Sequence, residues 1–259
     1  MIAEMIQKMK RILVLLTLIT FFGCDSDKGL NCFQAAGDII QEEFTVEPFD
    51  KITVWERTQL FIKQGDTQKV VVETGENLLN DIEVQIKDGV LNLRNNNGCN
   101  LVRDYGLTKV YVTTPNVTRI RNSSGLPVES IGTLSFPDLA LISEDQESED
   151  AFHIDGDFKL DLKVENLQVV ANGLSNFFLS GTAERADFGI YAGDARIEAE
   201  NLLIGKLMLF HRGTQDMIVN PQEAIRGKIV SLGNVIAKNR PPIVEVEELY
   251  RGRLIFEEQ

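Results

Sequence analysis

The chain has 259 residues, 43% of them apolar, with only 7 Pro against 20 Gly; it can bury a sizeable core and is unlike a low-complexity or disordered chain. A formal net charge of −13 repels nucleic acid and acidic membrane surfaces, so no nucleic-acid partner is expected. Three Cys and two His leave little material for thiol or metal chemistry.

The chain opens on an address. Lys8, Lys10 and Arg11 precede the apolar run ILVLLTLITFF and then Gly23-Cys24. A charged start, an apolar stretch of about a dozen residues and a small residue at the cut describe a signal peptide over residues 1–23. The run is shorter than the roughly 20 residues that a spanning helix needs. Met9 serves as well as Met1 for the start, since MKRILVLL is itself a common opening. A Cys directly after the small residue makes the segment resemble a bacterial lipoprotein signal, which implies cleavage before Cys24 and lipidation of its thiol. Phe21 and Phe22 stand where such signals usually carry Leu and a small residue, and an ordinary secretory signal is the other reading. Residues 24–43, beginning with the acidic DSDKG, then form a lipidated tether. The mature protein is expected in the cell envelope, as an outer-membrane lipoprotein facing the periplasm or the surface. In an oxidising compartment the remaining pair, Cys32 and Cys99, is expected to form a disulfide. Closing a loop of about 67 residues would contribute roughly 4 kcal/mol on the chain-entropy argument.

Residues 44–259 read as one all-β domain. ITVWER, LFIKQ and KVVVET are strand-like, and IEVQIKDGVLNLRN is a hairpin with Asp88-Gly89 at its turn, a pair suited to two successive positive φ angles. Together with TKVYVTT, which ends at Pro115, these strands form a cap over 44–115. From residue 116 the chain repeats itself about every 20 residues, the mark of a solenoid. The most similar segments run from Leu167 to Lys228. The spacing aligns Leu167 with Phe188 and Leu207, and Val169 with Ile190 and Leu209. It sets Ile142, Val170, Tyr191, Phe210 and Leu232 in one inward ladder, so that Phe210→Asp should damage several coils. Leu139/Leu141/Ile142 and Val117/Ile120 extend the pattern upstream, and Phe177/Leu179 and Ala183/Ala186 supply further inward positions.

The passages VVVETGENLLNDIEVQIKDGVLNLRNNNGCN, TKVYVTTPNVTRIRNSSG and RPPIVEVEELYRGRLIF resemble the head GIN domain, the family labelled an auto-transporter adhesin, over roughly residues 44–256. The resemblance implies a right-handed parallel β-helix with antiparallel strands capping its N-terminal end, an adhesin-like role, and no catalytic residues. Ser123-Ser124-Gly125 keeps that family's Ser-Gly turn, whereas NGLSN, AGDA and HRGT vary it.

Candidate chemistry is sparse. His153 with Asp155, Asp157 and Asp161 invites a metal reading, but the spacing lacks the mid-loop Gly and closing Glu of an EF-hand, and a solvated acidic loop is the simpler account; no metal or cofactor is expected. His211 beside Phe210 reads as a structural His. Asp187, Asp194 and Glu198 are the candidates for a carbohydrate-active β-helix enzyme, the alternative to a binding protein, and such an enzyme needs carboxylates converging in a groove. Trp55 reads as core or edge, and Phe178 as an outward aromatic. The acidic stretch 143–150 is an insertion of the kind that carries binding in solenoids. The partners expected are the membrane, through the lipid anchor, and a glycan or an envelope protein, a signalling partner included.

Overall fold

The computed structural model describes residues 34–100, 104–146 and 151–257, together with Gln7 and Lys10. The fold is all-β. Its strands are β1 (Ile39–Phe44), β2 (Lys51–Val54), β3 (Gln59–Gln64), β4 (Lys69–Gly75), β5 (Ile82–Lys87), β6 (Val90–Asn95), β7 (Lys109–Thr114), β8 (Arg119–Asn122) and β9 (Val128–Leu134). They continue with β10 (Asp138–Ser143), β11 (Phe158–Ala171), β12 (Asn176–Ile190), β13 (Arg196–His211), β14 (Met217–Ile229), β15 (Val235–Ala237), β16 (Ile243–Glu248) and β17 (Leu254–Phe256). One 3-10 turn, Glu76–Asp81, links β4 to β5. Among the described residues no helix is long and apolar enough to cross a membrane.

Pairing is parallel through most of the molecule. Phe158 lies opposite Phe177, Phe177 opposite Ile197, and Ile197 opposite Met217, steps of 19, 20 and 20 residues. Each long strand is therefore a rung lying on the one before. The first half of β11 pairs with β9 and the second half with β10, so two stacks of strands run side by side and the long strands join them into one 17-stranded sheet. Alternate side chains point inward, as a pleated strand requires. Leu60, Val128, Phe158, Phe177, Ile197, Met217 and Val235 form one inward column; Ile52, Ile120, Leu141, Val169, Phe188 and Leu209 form another. All are buried. Phe158 and Phe177 stack with ring centroids 4.9 Å apart, like on like between adjacent rungs.

The early strands leave chain order. β2 and β3 lie between β6–β7 on one side and β8–β9 on the other, although they precede both in sequence. The end of the stack beyond β6–β7 is covered by antiparallel strands: β5 on β6, β4 on β7, and β1 on β4. The Asp88-Gly89 turn that joins β5 to β6 has φ of 53° and 73°, as its sequence leads one to expect. β1 begins at Ile39, before Phe44, because every backbone position of IIQEEF finds a partner on β4.

The repeat alignment is corrected at one rung. Leu167 pairs with Ala186, Val169 with Phe188, and Val170 with Gly189, so the segment holding Phe188 and Ile190 sits two residues from the position its apolar pattern suggests. With a side-chain period of two, the faces still agree for Phe188 and Ile190, while Tyr191 and Phe210 point outward and stack on each other at 5.3 Å. Gly189 lies in the same outward ladder as Phe210, and the Tyr191 ring covers it, 2.6 Å from where a Cβ would be. Leu232 lies in the turn after β14, outside the ladder, and is exposed.

Two local devices hold the rungs. Where β12 and β14 bend, Gly181 and Gly227 have φ of 99° and 134°, and a Cβ would come within 2.0 Å and 1.8 Å of the Leu162 and Leu209 carbonyl oxygens of the rung below. At the turns, Asp157 Oδ1 accepts from both Asn176 N–H (2.8 Å) and Asn176 Nδ2 (2.9 Å), and Asp216 Oδ1 does the same for Asn234.

Phe188→Ala should cost about 3–5 kcal/mol in denaturant unfolding, as a filled core position emptied between two rungs. Phe210→Ala should cost less than half of that, because Phe210 is outward and only half-buried. Gly227→Ala should destabilise by more than the roughly 1 kcal/mol of an ordinary strained glycine position, since backbone, not a flexible side chain, occupies the space.

Candidate functional site

The outward residues of the first stack meet the inserted segment between β10 and β11. Trp55, just after β2, and Phe152, from that segment, stack with centroids 5.2 Å apart and planes 21° from parallel. The Arg94 guanidinium lies 4.1 Å above the free face of Trp55, and Arg121 lies 4.3 Å from the free face of Phe152. The result is a four-layer stack, Arg94–Trp55–Phe152–Arg121. Each cation–π contact is worth about 0.5–1 kcal/mol at such partly exposed sites. Trp55 Nε1–H donates to Asn92 Oδ1 at 3.2 Å, and Arg121 donates to the Glu144 carboxylate at 2.8 Å. Glu56 stands near both Arg94 (4.0 Å) and His153 (3.5 Å), and the His153 N–H donates to Ser123 Oγ at 2.7 Å. The returning end of the insertion is thereby clamped to the rungs.

Beside this clamp opens a cleft of about 410 Å³ with Thr53, Asn92, Arg119, Asp88 and Asp145 in its walls. Arg119 is its unusual member. It stands two residues before Arg121 on β8, so both point outward, and it lies directly across from Lys51 on β2. Its Nε is buried without a hydrogen-bond partner, and no carboxylate among the described residues pairs with it. Asp145 Oδ1 accepts from Asn172 Nδ2 at 2.8 Å.

The residues singled out by sequence are scattered. Cys24 and Cys32 lie outside the described residues, as do positions 147–150 of the acidic insertion; Cys99 follows β6. Asp157 is a turn staple, as above. Asp161 accepts from Ser180 Oγ at 3.3 Å and from Thr133, and Asp155 lies in the exposed return of the insertion. No three His, Cys, Asp or Glu side chains among the described residues converge as metal ligands. Asp187 is outward on the second half of β12, Asp194 accepts from Thr214 in the following turn, and Glu198 on the first half of β13 pairs with Arg196 at 2.8 Å. These three occupy separate surfaces and do not converge. Desolvation in a groove beside Met208 pushes the Asp187 carboxyl above its ordinary range. Phe178 is 38% exposed, outward as expected. Trp55 points outward as well, so it belongs to neither the core nor an edge. Sequence reasoning missed Arg119, because nothing local distinguishes a cation with a partner from one without.

His211 is a structural His of an unusual kind. It is 0% exposed, in the inward column between Ile190 and Ile229, and neither ring nitrogen has a partner of good hydrogen-bond geometry. Burial pushes its pKa below the ordinary value, against weaker opposing pulls from the Gln215 backbone and the Asp216 carboxylate.

A family model described as "putative auto-transporter adhesin, head GIN domain" matches residues 48–241. Solved structures of similar fold include a putative adhesin from Bacteroides fragilis NCTC 9343, 22% identical over 85% of this chain and 97% of its own, with a TM-score of 0.75. A putative lipid binding protein from Parabacteroides distasonis ATCC 8503 is 16% identical over 86% and 98%, with a TM-score of 0.60. A putative adhesin from Parabacteroides merdae ATCC 43184 is 16% identical over 86% and 97%, with a TM-score of 0.61. These likenesses are of fold. No curated protein matches the chain.

Two outcomes test this anatomy. Trp55→Ala should cost about 1–2 kcal/mol and raise hydrogen exchange selectively over residues 151–157, because the clamp loses its middle layer. Because His211 binds its proton less readily folded than unfolded, stability should fall as pH drops below about 6.5, by up to about 1.4 kcal/mol per pH unit. In thermal unfolding between pH 8 and 5.5, His211→Leu should flatten that slope. Glu73, whose pKa is lowered chiefly by the Gln41 hydrogen bond and further by Lys109, loses its contribution only below that window.

Proposed function

We propose that this chain, which belongs to the head GIN domain family of auto-transporter adhesins, is a non-enzymatic surface-binding protein of the cell envelope. The observation that carries the reading is the Arg119 cleft, an open polar site with an unsatisfied guanidinium, built on strands and walled by a ring stack. A rigid wall of this kind suits recognition of a partner's surface. Relatives of similar fold are described as adhesins or a lipid-binding protein, and none of those named above as an enzyme. The separation of Asp187, Asp194 and Glu198 weighs against the carbohydrate-active alternative, which needs two carboxylates working on one bond.

On this reading the stacked rungs wind as a right-handed parallel β-helix, a single solenoid domain over residues 44–259. Repeat steps of about 20 residues and the strong bias of parallel crossovers toward the right hand support it. Residues 1–23 are a signal peptide, Cys24 carries lipid, residues 24–43 tether the body to the outer membrane, and Cys32 pairs with Cys99. The basic–apolar–Gly-Cys order of the leader supports the anchor.

The functional test is a screen of the soluble body, residues 26–259, against a glycan array, acidic polysaccharides and envelope extracts, with product release followed by mass. Saturable binding without turnover is expected; turnover of any polysaccharide would overturn the reading, as would silence against all three. For the anchor, Cys24→Ser should move the protein from the membrane to the soluble fraction and abolish labelling by a fatty-acid analogue.

A further inference from the structure

We infer that the Arg119 cleft takes a saccharide unit bearing one carboxylate, of the uronic-acid class. The inference rests on the surface-binding reading above and names its ligand.

The chain has 39 acidic side chains against 26 basic ones, so a partly buried cation in a cleft wall would be expected to find an acid. Arg94, Arg121, Arg185, Arg196, Arg226 and Arg253 all lie within 4.0 Å of a carboxylate. Arg119 has no such neighbour among the described residues, although it is partly buried, and its cross-strand neighbour is another cation, Lys51. Lys51 leans to Asp50 at 3.5 Å, on the exposed side. Like charges set opposite each other on adjacent strands are unfavourable, and an anion on Arg119 relieves the pair. A guanidinium presents parallel N–H donors that match a carboxylate in two-pronged fashion.

The rest of the cleft says what kind of anion. The walls also hold Lys87, Arg121, Asp88, Glu144 and Asp145; Arg121 and Glu144 pair at 2.8 Å, which leaves Lys87 and Arg119 against Asp88 and Asp145, so the walls balance in charge and a dense polyanion such as a polysulfated chain is disfavoured. The Asp88 and Asp145 oxygens accept hydrogen bonds from hydroxyl groups, as does Thr53. One carboxylate with several hydroxyl donors is the composition of a uronic acid. The rings exclude the usual neutral alternative. Both faces of Trp55 and both faces of Phe152 are covered, by Arg94, by each other and by Arg121, so no ring face is open for a neutral sugar to stack on. Selection therefore falls to the charge.

The experiment is titration calorimetry of the detergent-solubilised full chain with methyl galacturonide, which carries one carboxylate, its methyl ester, neutral methyl galactoside and a heparin oligosaccharide. Methyl galacturonide is expected to bind at least tenfold more tightly than the other three. Arg119→Gln should weaken it at least tenfold, and Arg119→Lys should lie between, with thermal melts confirming that both variants fold. The methyl ester tests the same point on the unaltered protein, should a variant fail to fold. Equal binding of acid and ester, unchanged binding by folded Arg119→Gln, or no binding of methyl galacturonide would each overturn the inference. If the uronate fails while the glycan array or the envelope extracts yield another ligand, only this inference falls; if those are silent too, the surface-binding reading falls with it.

Discussion

Backbone pairing between segments about 20 residues apart makes each side chain depend on the ones directly above and below it. A rung has no interior of its own. Val169 is dry because Leu141 and Phe188 cover it, and Phe188 because Val169 and Leu209 do. The same dependence explains the glycines at the bends: the backbones of successive rungs approach so closely at Gly181 and Gly227 that a methyl group has nowhere to go. It also explains why a His can sit unsatisfied at position 211. The column demands a filled site there, and the glycines around it, Gly213 and Gly233, leave room for the flat ring and nothing more.

Outward positions obey the same stacking with looser rules. Arg226 pairs with Glu245 and Lys228 with Glu247, each across one rung, and Lys69 with Glu43 at the antiparallel end. Exposed pairs of this sort contribute little stability apiece. They consume many of the surface cations, whereas Arg119 and Lys87, in the walls of one cleft, have no ion pair among the described residues. The aromatic clamp is the counterpart for the insertion: Arg94 and Arg121 are held by rings and carboxylates together, which fixes the wall beside Arg119 and leaves that residue's own environment polar and open.

How much was legible follows from which forces are local. The Asp88-Gly89 hairpin was readable because turn geometry is set by the turn residues themselves. The repeat was readable from period, and most inward positions came out correctly. The alignment slipped at the segment ending in Ile190 because its rung is offset by small residues, Gly189 among them, that carry no hydrophobic signal. The threading of β2–β3 between later strands could not be read at all: Leu60 pairs with Val110 and Val128, and nothing in any of the three announces the others. For the site, the sequence offered carboxylates and His, the residues that usually do chemistry. The structure spends Asp157 on a turn, disperses Asp187, Asp194 and Glu198, and brings together Trp55, Arg94, Arg119 and Phe152, which span about a hundred residues.

The two ends of the stack differ in a way that follows from the edge problem of any open sheet. At the N-terminal end, antiparallel β4 and β5 cover β7 and β6, and reversed strands offer the next chain a poorer continuation of the parallel ladder. At the other end β16 and β17 each pair on one side only, and Val244, in an inward position, is 36% exposed for want of a rung above it. Such an edge invites another strand. What stands on it is IVEVEE, with Glu245 and Glu247 satisfied by the basic side chains of β14 and Glu248 by Arg253. A second copy approaching that edge would bring its own acids against these without bringing their cations any nearer. The acidity that sets the charge of the whole chain thus acts locally where the stack is left open, and the same excess of acid is what makes an unpaired Arg119 at the far end selective for a single negative charge.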